Sequence, residues 1–540
     1  MQQKNENEIN SEVITELQEE LYLREQRRKM FPRAALVGLF AGLLASVFRI
    51  VLSEADSFRL TVNTWSHQIP EFGWIFPILF GISGAFLSVF MVRSFAPEVS
   101  GSGIPHLKAV LHRLRILDWR RVLPVKFVAG VAALGGGLAL GREGPTVQMG
   151  GAVGDAVSKW LKVPPRERRS LIAAGAGAGL AAAFNAPLSG VIFVLEEVQR
   201  DFHPFVFGAA FLAAAIADIV ARILAGAFPV FSIPDYPTPP IESLWGFAVL
   251  GILAGVLGVA FNRSLLGTLN IFARLNRTWN LILVALVGAV VGIAGWYLPM
   301  SVGGGHALAE EALAGKLVLA AIPALFLFRF VMTVFSYGTG AAGGIFAPLL
   351  AIGAMLGLAV GQVANYIAPD VVPIPAVFAV VGMAAYFTAI VRAPLTGIVL
   401  IVEMTGNYHQ MLPLLVACFF AYAAAEALHD LPIYEALLER DLIRDDTHIK
   451  LQEPMVLDLT VEPGSPFSRQ DIRLLGLPPG CVIIRCVMDG HSFVPTADTK
   501  LEPHMKITVV VSPEAVQGLS TLRHGCRTRK PGNKSAYAAE

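Results

Sequence analysis

The chain has 540 residues, 54% of them hydrophobic and 15% charged, with a formal net charge of +1. Mean hydropathy is +0.60, and several apolar runs approach the roughly 20 residues that span hydrocarbon, which excludes an ordinary soluble enzyme and indicates a polytopic membrane protein. No arginine-rich tract with interleaved aromatics points to a nucleic-acid partner.

Residues 1–30 open the chain with a polar segment, in which Ile14, Leu17 and Leu21 recur at helical spacing among Glu16, Glu19, Glu20 and Glu25. The spacing predicts an amphipathic helix over 7–29. No apolar core followed by a cleavage site occurs here, so no secretory signal peptide is expected. Arg24, Arg27, Arg28, Lys29 and Arg33 precede the first apolar run, and the positive-inside rule places this end in the cytoplasm.

Apolar segments then follow at about 34–53, 72–95, 123–140, 145–161, 170–183, 186–198, 204–228, 243–265, 279–298, 317–336, 345–366, 374–390, 394–404 and 411–428. Several are too short to span alone. Short, Gly- and Pro-interrupted segments point to discontinuous helices around a site near the bilayer midplane. Arg113, Arg115, Arg120, Arg121 and Lys126 lie before the segment 127–158, and Lys159, Lys162, Arg166, Arg168 and Arg169 lie after it. With both clusters in the cytoplasm, that segment enters the membrane and returns, turning near Glu143. A second such pair over 170–183 and 186–198 carries Glu196 and Glu197 back towards the cytoplasm.

An internal repeat indicates a two-fold design. The stretch Ala186-Pro187-Leu188-Ser189-Gly190-Val191-Ile192-Phe193-Val194-Leu195-Glu196 matches Ala393-Pro394-Leu395-Thr396-Gly397-Ile398-Val399-Leu400-Ile401-Val402-Glu403 without a gap. Gly141, Pro145, Gly150 and Gly154 are echoed by Gly344, Pro348, Gly353 and Gly357. Whether the repeats run parallel or inverted is open at this level. Beyond residue 440 the chain becomes charged. Strand-like alternation at 455–461 and 481–488, a hairpin signal at Asp489-Gly490 and a closing strand from Lys506 to Val511 predict a small α/β cytoplasmic domain over 455–515. The composition of 516–540 is that of a disordered tail. Cys418, Cys481, Cys486 and Cys526 are too few for a disulfide framework and lack zinc-ligand spacing.

Four loop-to-helix junctions carry the chemistry. In Gly101-Ser102-Gly103-Ile104-Pro105 a hydroxyl is held between two glycines. In Gly135-Gly136-Gly137-Leu138-Ala139-Leu140-Gly141-Arg142-Glu143-Gly144-Pro145 a glutamate sits at a glycine-broken helix start. Gly343-Gly344-Ile345-Phe346-Ala347-Pro348 lets backbone N–H groups approach a ligand, and Tyr434 offers a phenol. Free N–H groups at a half-helix start attract anions, and lipid tolerates such a break only inside protein or beside water. A Ser102–His106 nucleophile and base is the reading from another class, but Pro105 intervenes and no orienting acid is evident.

Together these motifs, in this order and spacing, resemble the CLC family of chloride channels and transporters over roughly residues 30–440. The resemblance implies an all-α membrane domain over 31–440, built from two inverted halves at about 31–228 and 243–440. It also implies a homodimer with one anion pathway per subunit and no cofactor. It implies chloride, as bound substrate ion, coordinated by the hydroxyls of Ser102 and Tyr434 and the N–H groups of Ile345 and Phe346. These neutral donors suit passage better than a charged pocket. Glu143 matches the family's gating glutamate: ionised, it occupies the anion position; neutral, it swings away. Glu197 matches the second acid carried by members that exchange protons for chloride, whereas Glu196 and Glu403 read as structural. Ser102 matches chloride-preferring members, where nitrate-preferring plant relatives tend to have proline, and Gly141-Arg142-Glu143-Gly144-Pro145 with Tyr434 differs from the fluoride-exporting branch. The expected function is therefore chloride–proton exchange, with a passive chloride channel as the alternative, in a bacterial inner membrane with both termini cytoplasmic. The 455–515 segment looks like the C-terminal lobe of potassium-transport regulatory domains.

Overall fold

The computed structural model describes residues 2–200, 204–226, 230–231, 233–444, 455–488, 491–512, 515, 521–522 and 525–526, without the side chains of 2–27, 166, 204–205, 443–444 and 455. Two compact units result: one of residues 1–111 and 117–438, the other of 112–116 and 439–540.

The first unit is helical, and its helices run through the same order twice. The first pass comprises α1 (Gln2–Ser66), α2 (Ile75–Phe95), α3 (Ile104–Leu111), α4 (Trp119–Gly135), α5 (Glu143–Trp160), α6 (Pro165–Phe184), α7 (Pro187–Phe193) and α8 (Pro204–Ala225). The second comprises α9 (Leu244–Arg274), α10 (Arg277–Tyr297), α11 (His306–Leu313), α12 (Ile322–Gly338), α13 (Phe346–Ile367), α14 (Ala376–Val391), α15 (Pro394–Thr405) and α16 (Met411–Ala427). The unit ends within α17 (Ile433–Arg444). Among the described residues seven helical segments are long and apolar enough to cross a membrane. The protein is thus a multi-span membrane protein, and α3, α7 and α11 are half-helices of seven or eight residues.

Small residues let these helices touch. A Cβ at Gly150 or Gly154 of α5 would collide with the backbone of α6 at Gly175 and Leu171, and one at Gly353 would lie 2.5 Å from the Gly382 carbonyl of α14. Close backbone approach of this kind replaces the hydrophobic driving force that helices lack in lipid. The glycine echo in the sequence therefore marks two equivalent seams, α5 on α6 and α13 on α14.

Two expectations about the helical unit need correction. The polar N-terminal helix and the first apolar run form the single helix α1, which carries Pro32 inside it; the amphipathic pattern of Ile14, Leu17 and Leu21 lies outside the described side chains. Lys126, counted above as a cytoplasmic charge, is fully buried. Its ammonium donates to the carbonyls of Val99 and Gly101, each at 2.7 Å, so its charge is absorbed by a loop and not by solvent.

The second unit holds a four-stranded sheet of β1 (Met455–Thr460), β2 (Cys481–Met488), β3 (His491–Phe493) and β4 (Lys506–Val511), in the order β1-β4-β2-β3 with every pairing antiparallel. The alternation read from the sequence matches burial: Cys481, Ile483 and Cys486 of β2 and Ile507, Val509 and Val511 of β4 face one core. Asp489-Gly490 lies outside the described residues. Composition assigned Leu522 and Cys526 to a tail, but both are buried in this core; much of 516–540 lies outside the described residues.

Candidate functional site

Three chain breaks meet inside the helical unit. Ser102 lies between Gly101 and Gly103, whose φ angles of 62° and 77° are left-handed values that favour glycine. Lys126 clamps this loop through the Gly101 carbonyl. α5 begins at Glu143 and α13 at Phe346. A Cβ on Gly144 would lie 2.8 Å from that of Ser102, and one on Gly344 would lie 3.1 Å from the Gly144 nitrogen. The Ser102 loop and two helix N-termini thus converge on one point, all of it buried.

The donors around that point are neutral. The Ser102 hydroxyl accepts from the Ile104 N–H at 3.3 Å, so its own proton remains available to donate. The N–H groups of Ile345 and Phe346 donate to no protein acceptor among the described hydrogen bonds, as expected of the first residues of a helix. Phe346 is fixed by its ring packing against Phe184, Phe193 and Phe387. Tyr434, the second residue of α17, is fully buried, and its hydroxyl has no partner among the described groups. A buried hydroxyl left without a partner is costly. Its phenol lies within electrostatic range of Tyr337, Glu197 and Glu143, and the Tyr337 hydroxyl is 3.5 Å from the Ser102 nitrogen.

The Glu143 carboxylate lies at the same place from the other side. Its Oε2 accepts from the Ala347 N–H of α13 at 3.4 Å. A negative group at a helix N-terminus is favoured by roughly 0.3–1 kcal/mol, and by up to about 2 when partly buried. Arg142 is not a tight partner: its Nε stays 4.0 Å from Oε1, and its guanidinium also approaches the Ala183 carbonyl at 3.4 Å. Glu143 and Arg142 line a cavity of about 330 Å³ with Arg49 and His306. Asp56 lines the same cavity, so Glu143 stands between a mixed-charge cavity and the buried Ser102 loop.

Glu197 is placed apart from this point, in a π-helical turn, Val194–Val198, that continues α7; such turns are frequent at functional sites. It is 1% exposed, and its Oε1 accepts from the Lys108 ammonium of α3 at 2.6 Å. Sequence reasoning missed Lys108. The available signal was a lone charge in the otherwise apolar α3. His106 turns its Nδ1 to Gln148 Nε2 at 3.3 Å, so that nitrogen is engaged by an amide. Among the described residues no three His, Cys, Asp or Glu side chains cluster as metal ligands.

The chain is similar to known proteins over most of its length. A family model described as voltage gated chloride channel matches residues 84–426, and one described as TrkA-C domain matches 456–522. The chain is 42% identical over 423 residues to the H(+)/Cl(-) exchange transporter ClcA of Vibrio parahaemolyticus, covering 76% of this chain and 90% of that one. It is 40% identical over 425 residues to ClcA of Cronobacter sakazakii, covering 78% and 91%. Among solved structures, a slow cyanobacterial Cl-/H+ antiporter superposes with a TM-score of 0.75 at 38% identity, over 77% of this chain and 99% of that one.

Proposed function

Because this chain belongs to the voltage gated chloride channel (CLC) family, a transporter family rather than an enzyme family, we propose that it is a secondary active transporter exchanging chloride for protons. The observation that carries this reading is the Glu143 carboxylate at the N-terminus of α13, 3.4 Å from the Ala347 N–H. A carboxylate and a halide are both anions seeking the same helix end, so they compete for it. Ionised, Glu143 holds the position and closes the path from the outer cavity. Protonated, it loses that attraction and leaves the N–H groups of Ile345 and Phe346 to chloride.

Chloride then rests between those N–H groups and the hydroxyls of Ser102 and Tyr434. With no lysine or arginine in that donor set, the ion is held without being trapped. Proton and anion share Glu143 but part on the inner side. Protons travel by Glu197, an intramembrane acid of the kind that marks relays, and chloride passes Ser102 and Tyr434. Other halides and nitrate pass by the same donors. The protein acts as a homodimer with one pathway per subunit, in a bacterial inner membrane. Both termini and the 455–515 domain face the cytoplasm, the latter as a regulatory or dimer-supporting appendage.

One observation favours a passive channel on the same fold: the Lys108–Glu197 ion pair gives Glu197 a structural reason to exist. Reversal potentials of reconstituted protein under opposed chloride and proton gradients decide between the two. Exchange predicts values displaced by the proton gradient, and values that follow chloride alone would exclude it.

A further inference from the structure

The inner acid is tied to both hydroxyl-bearing elements. Lys108 lies on α3, the half-helix that begins two residues after Ser102, and donates to Glu197 Oε1 at 2.6 Å; the two side chains are 2% and 1% exposed. Arg200 stands 3.9 Å from Glu197 Oε2 and pairs with Glu435, the residue next to Tyr434 on α17. Among the described residues the other titratable groups within electrostatic range of Glu197 are Glu196, whose carboxylate is turned to α15, and the Tyr434 phenol. The two oxygens of Glu197 are unlike. Oε1 is held by an ammonium, whereas Oε2 is buried and has no hydrogen-bond partner among the described groups.

We propose that Lys108 and Arg200 are positioning residues for proton relay at Glu197: Lys108 fixes Oε1 so that Oε2 is the atom that takes the proton, and Arg200 carries the charge state of that carboxylate to Glu435 and the helix bearing Tyr434. This rests on the reading of Glu197 as the inner proton acceptor. Lysine suits the task because its ammonium is a point donor that can hold one oxygen and leave the other open. A guanidinium fork in its place engages both.

The consequence is mechanical. While Glu197 is ionised, it draws α3, its own π turn and α17 together through Lys108 and Arg200. When a proton arrives on Oε2 the carboxylate becomes neutral. The attraction to Arg200 is lost, and the contact with Lys108 falls from an ion pair to a hydrogen bond. The elements behind Ser102 and Tyr434 loosen together, so loading the proton and opening the inner end of the anion path become one event. Proton and chloride can then be coupled on the inner side although they do not share a route there.

The test is simultaneous measurement of proton and chloride flux from proteoliposomes holding the full chain, over a range of internal pH. Glu197→Gln sets the reference: proton movement lost and chloride movement kept. Lys108→Met should lower the proton-to-chloride ratio about fivefold or more and displace its pH profile while chloride flux persists. Arg200→Gln should lower the ratio about twofold with the same displacement. A wild-type ratio and profile in either folded variant overturns the proposal. Arg200→Gln alters a half-exposed side chain and decides alone if Lys108→Met yields no folded protein. Retained coupling in Glu197→Gln would instead remove the relay reading on which the proposal stands, so the two failures are distinct.

Discussion

Gly141 and Gly344 exchange both of their backbone hydrogen bonds, N–H to carbonyl at 2.6 and 2.7 Å, in an antiparallel bridge. They hold equivalent positions in the two repeats, one just before α5 and one just before α13. Equivalent residues can bond reciprocally only where the two-fold relation passes between them. The two helix N-termini are thereby brought to one point, and their dipoles add there. Gly141 has no room for a side chain, since its Cβ would meet the Glu143 carboxylate and lie 3.0 Å from the Ala347 nitrogen, and Gly344 is tightly enclosed, with the Gly144 nitrogen 3.1 Å away. The pairing explains why Glu143, on the first repeat, reaches an N–H of the second.

Glu143→Gln should separate the two ions. The amide keeps the shape of the side chain but carries no charge at any pH, so it cannot take or give up a proton. Chloride flux in proteoliposomes is expected to persist and to lose its pH dependence, with no uphill proton movement under a chloride gradient. Proton pumping by this variant would remove Glu143 from the coupling mechanism.

Tyr434→Phe removes a buried hydroxyl and nothing else of comparable size. If that hydroxyl donates to chloride, the lost interaction with a charged ligand amounts to about 1.5 kcal/mol, or roughly tenfold in affinity. Calorimetric titration of purified protein with chloride reads this directly. Unchanged affinity, or a gain in stability without loss of binding, would mean that the hydroxyl faces something other than the anion.

Much of this site is legible in the sequence because lipid makes polar breaks conspicuous. Glu143 stands out as an acid in a glycine-broken apolar run, and the repeat stands out because both matching stretches start with Ala-Pro-Leu and end with glutamate. Lys126 and Lys108 are illegible for the same kind of reason. A lysine beside a cytoplasmic cluster reads as a solvated charge, and only the tertiary fold reveals carbonyls or a carboxylate waiting for it. The continuity of α1 was hidden by Pro32, which normally ends a helix pattern. Leu522 and Cys526 were hidden by the polar residues around them, because two apolar positions do not make a period.

Cys526 offers a test of the sheet domain that is independent of transport. Burial, and secondarily the nearby Glu462, push its thiol from an ordinary 9.0 up to about 11, so the folded domain holds a proton there that the unfolded chain releases. The stability this contributes is fully present below pH 9 and is lost as pH rises through about 11. Two observations are expected: slow alkylation of Cys526 at neutral pH by mass spectrometry, and easier urea unfolding of the domain as pH climbs above 9. Rapid alkylation of the folded protein at pH 7 would place this thiol in solvent and Cys526 outside the core.

Glu196 and Glu403 answer each other across the repeat. Glu196 accepts from the N–H groups of Leu395 and Thr396, at 3.0 and 2.7 Å, and from the Thr396 hydroxyl. Glu403 accepts from the N–H groups of Leu188 and Ser189, at 3.1 and 2.8 Å, and from the Ser189 hydroxyl. Each repeat thus satisfies the helix start of the other, which is why both glutamates close the matching eleven-residue stretches. Removing either carboxylate strands two backbone donors, at about 1–3 kcal/mol for each donor left buried. Glu196→Ala and Glu403→Ala should therefore lower the thermal midpoint of the purified protein by similar amounts, because the two environments are equivalent. The proton-to-chloride ratio of whatever protein remains folded should be unchanged, since neither group stands on the path assigned to the proton. A selective loss of coupling in Glu196→Ala, with stability intact, would move Glu196 out of the scaffold and into the relay beside Glu197.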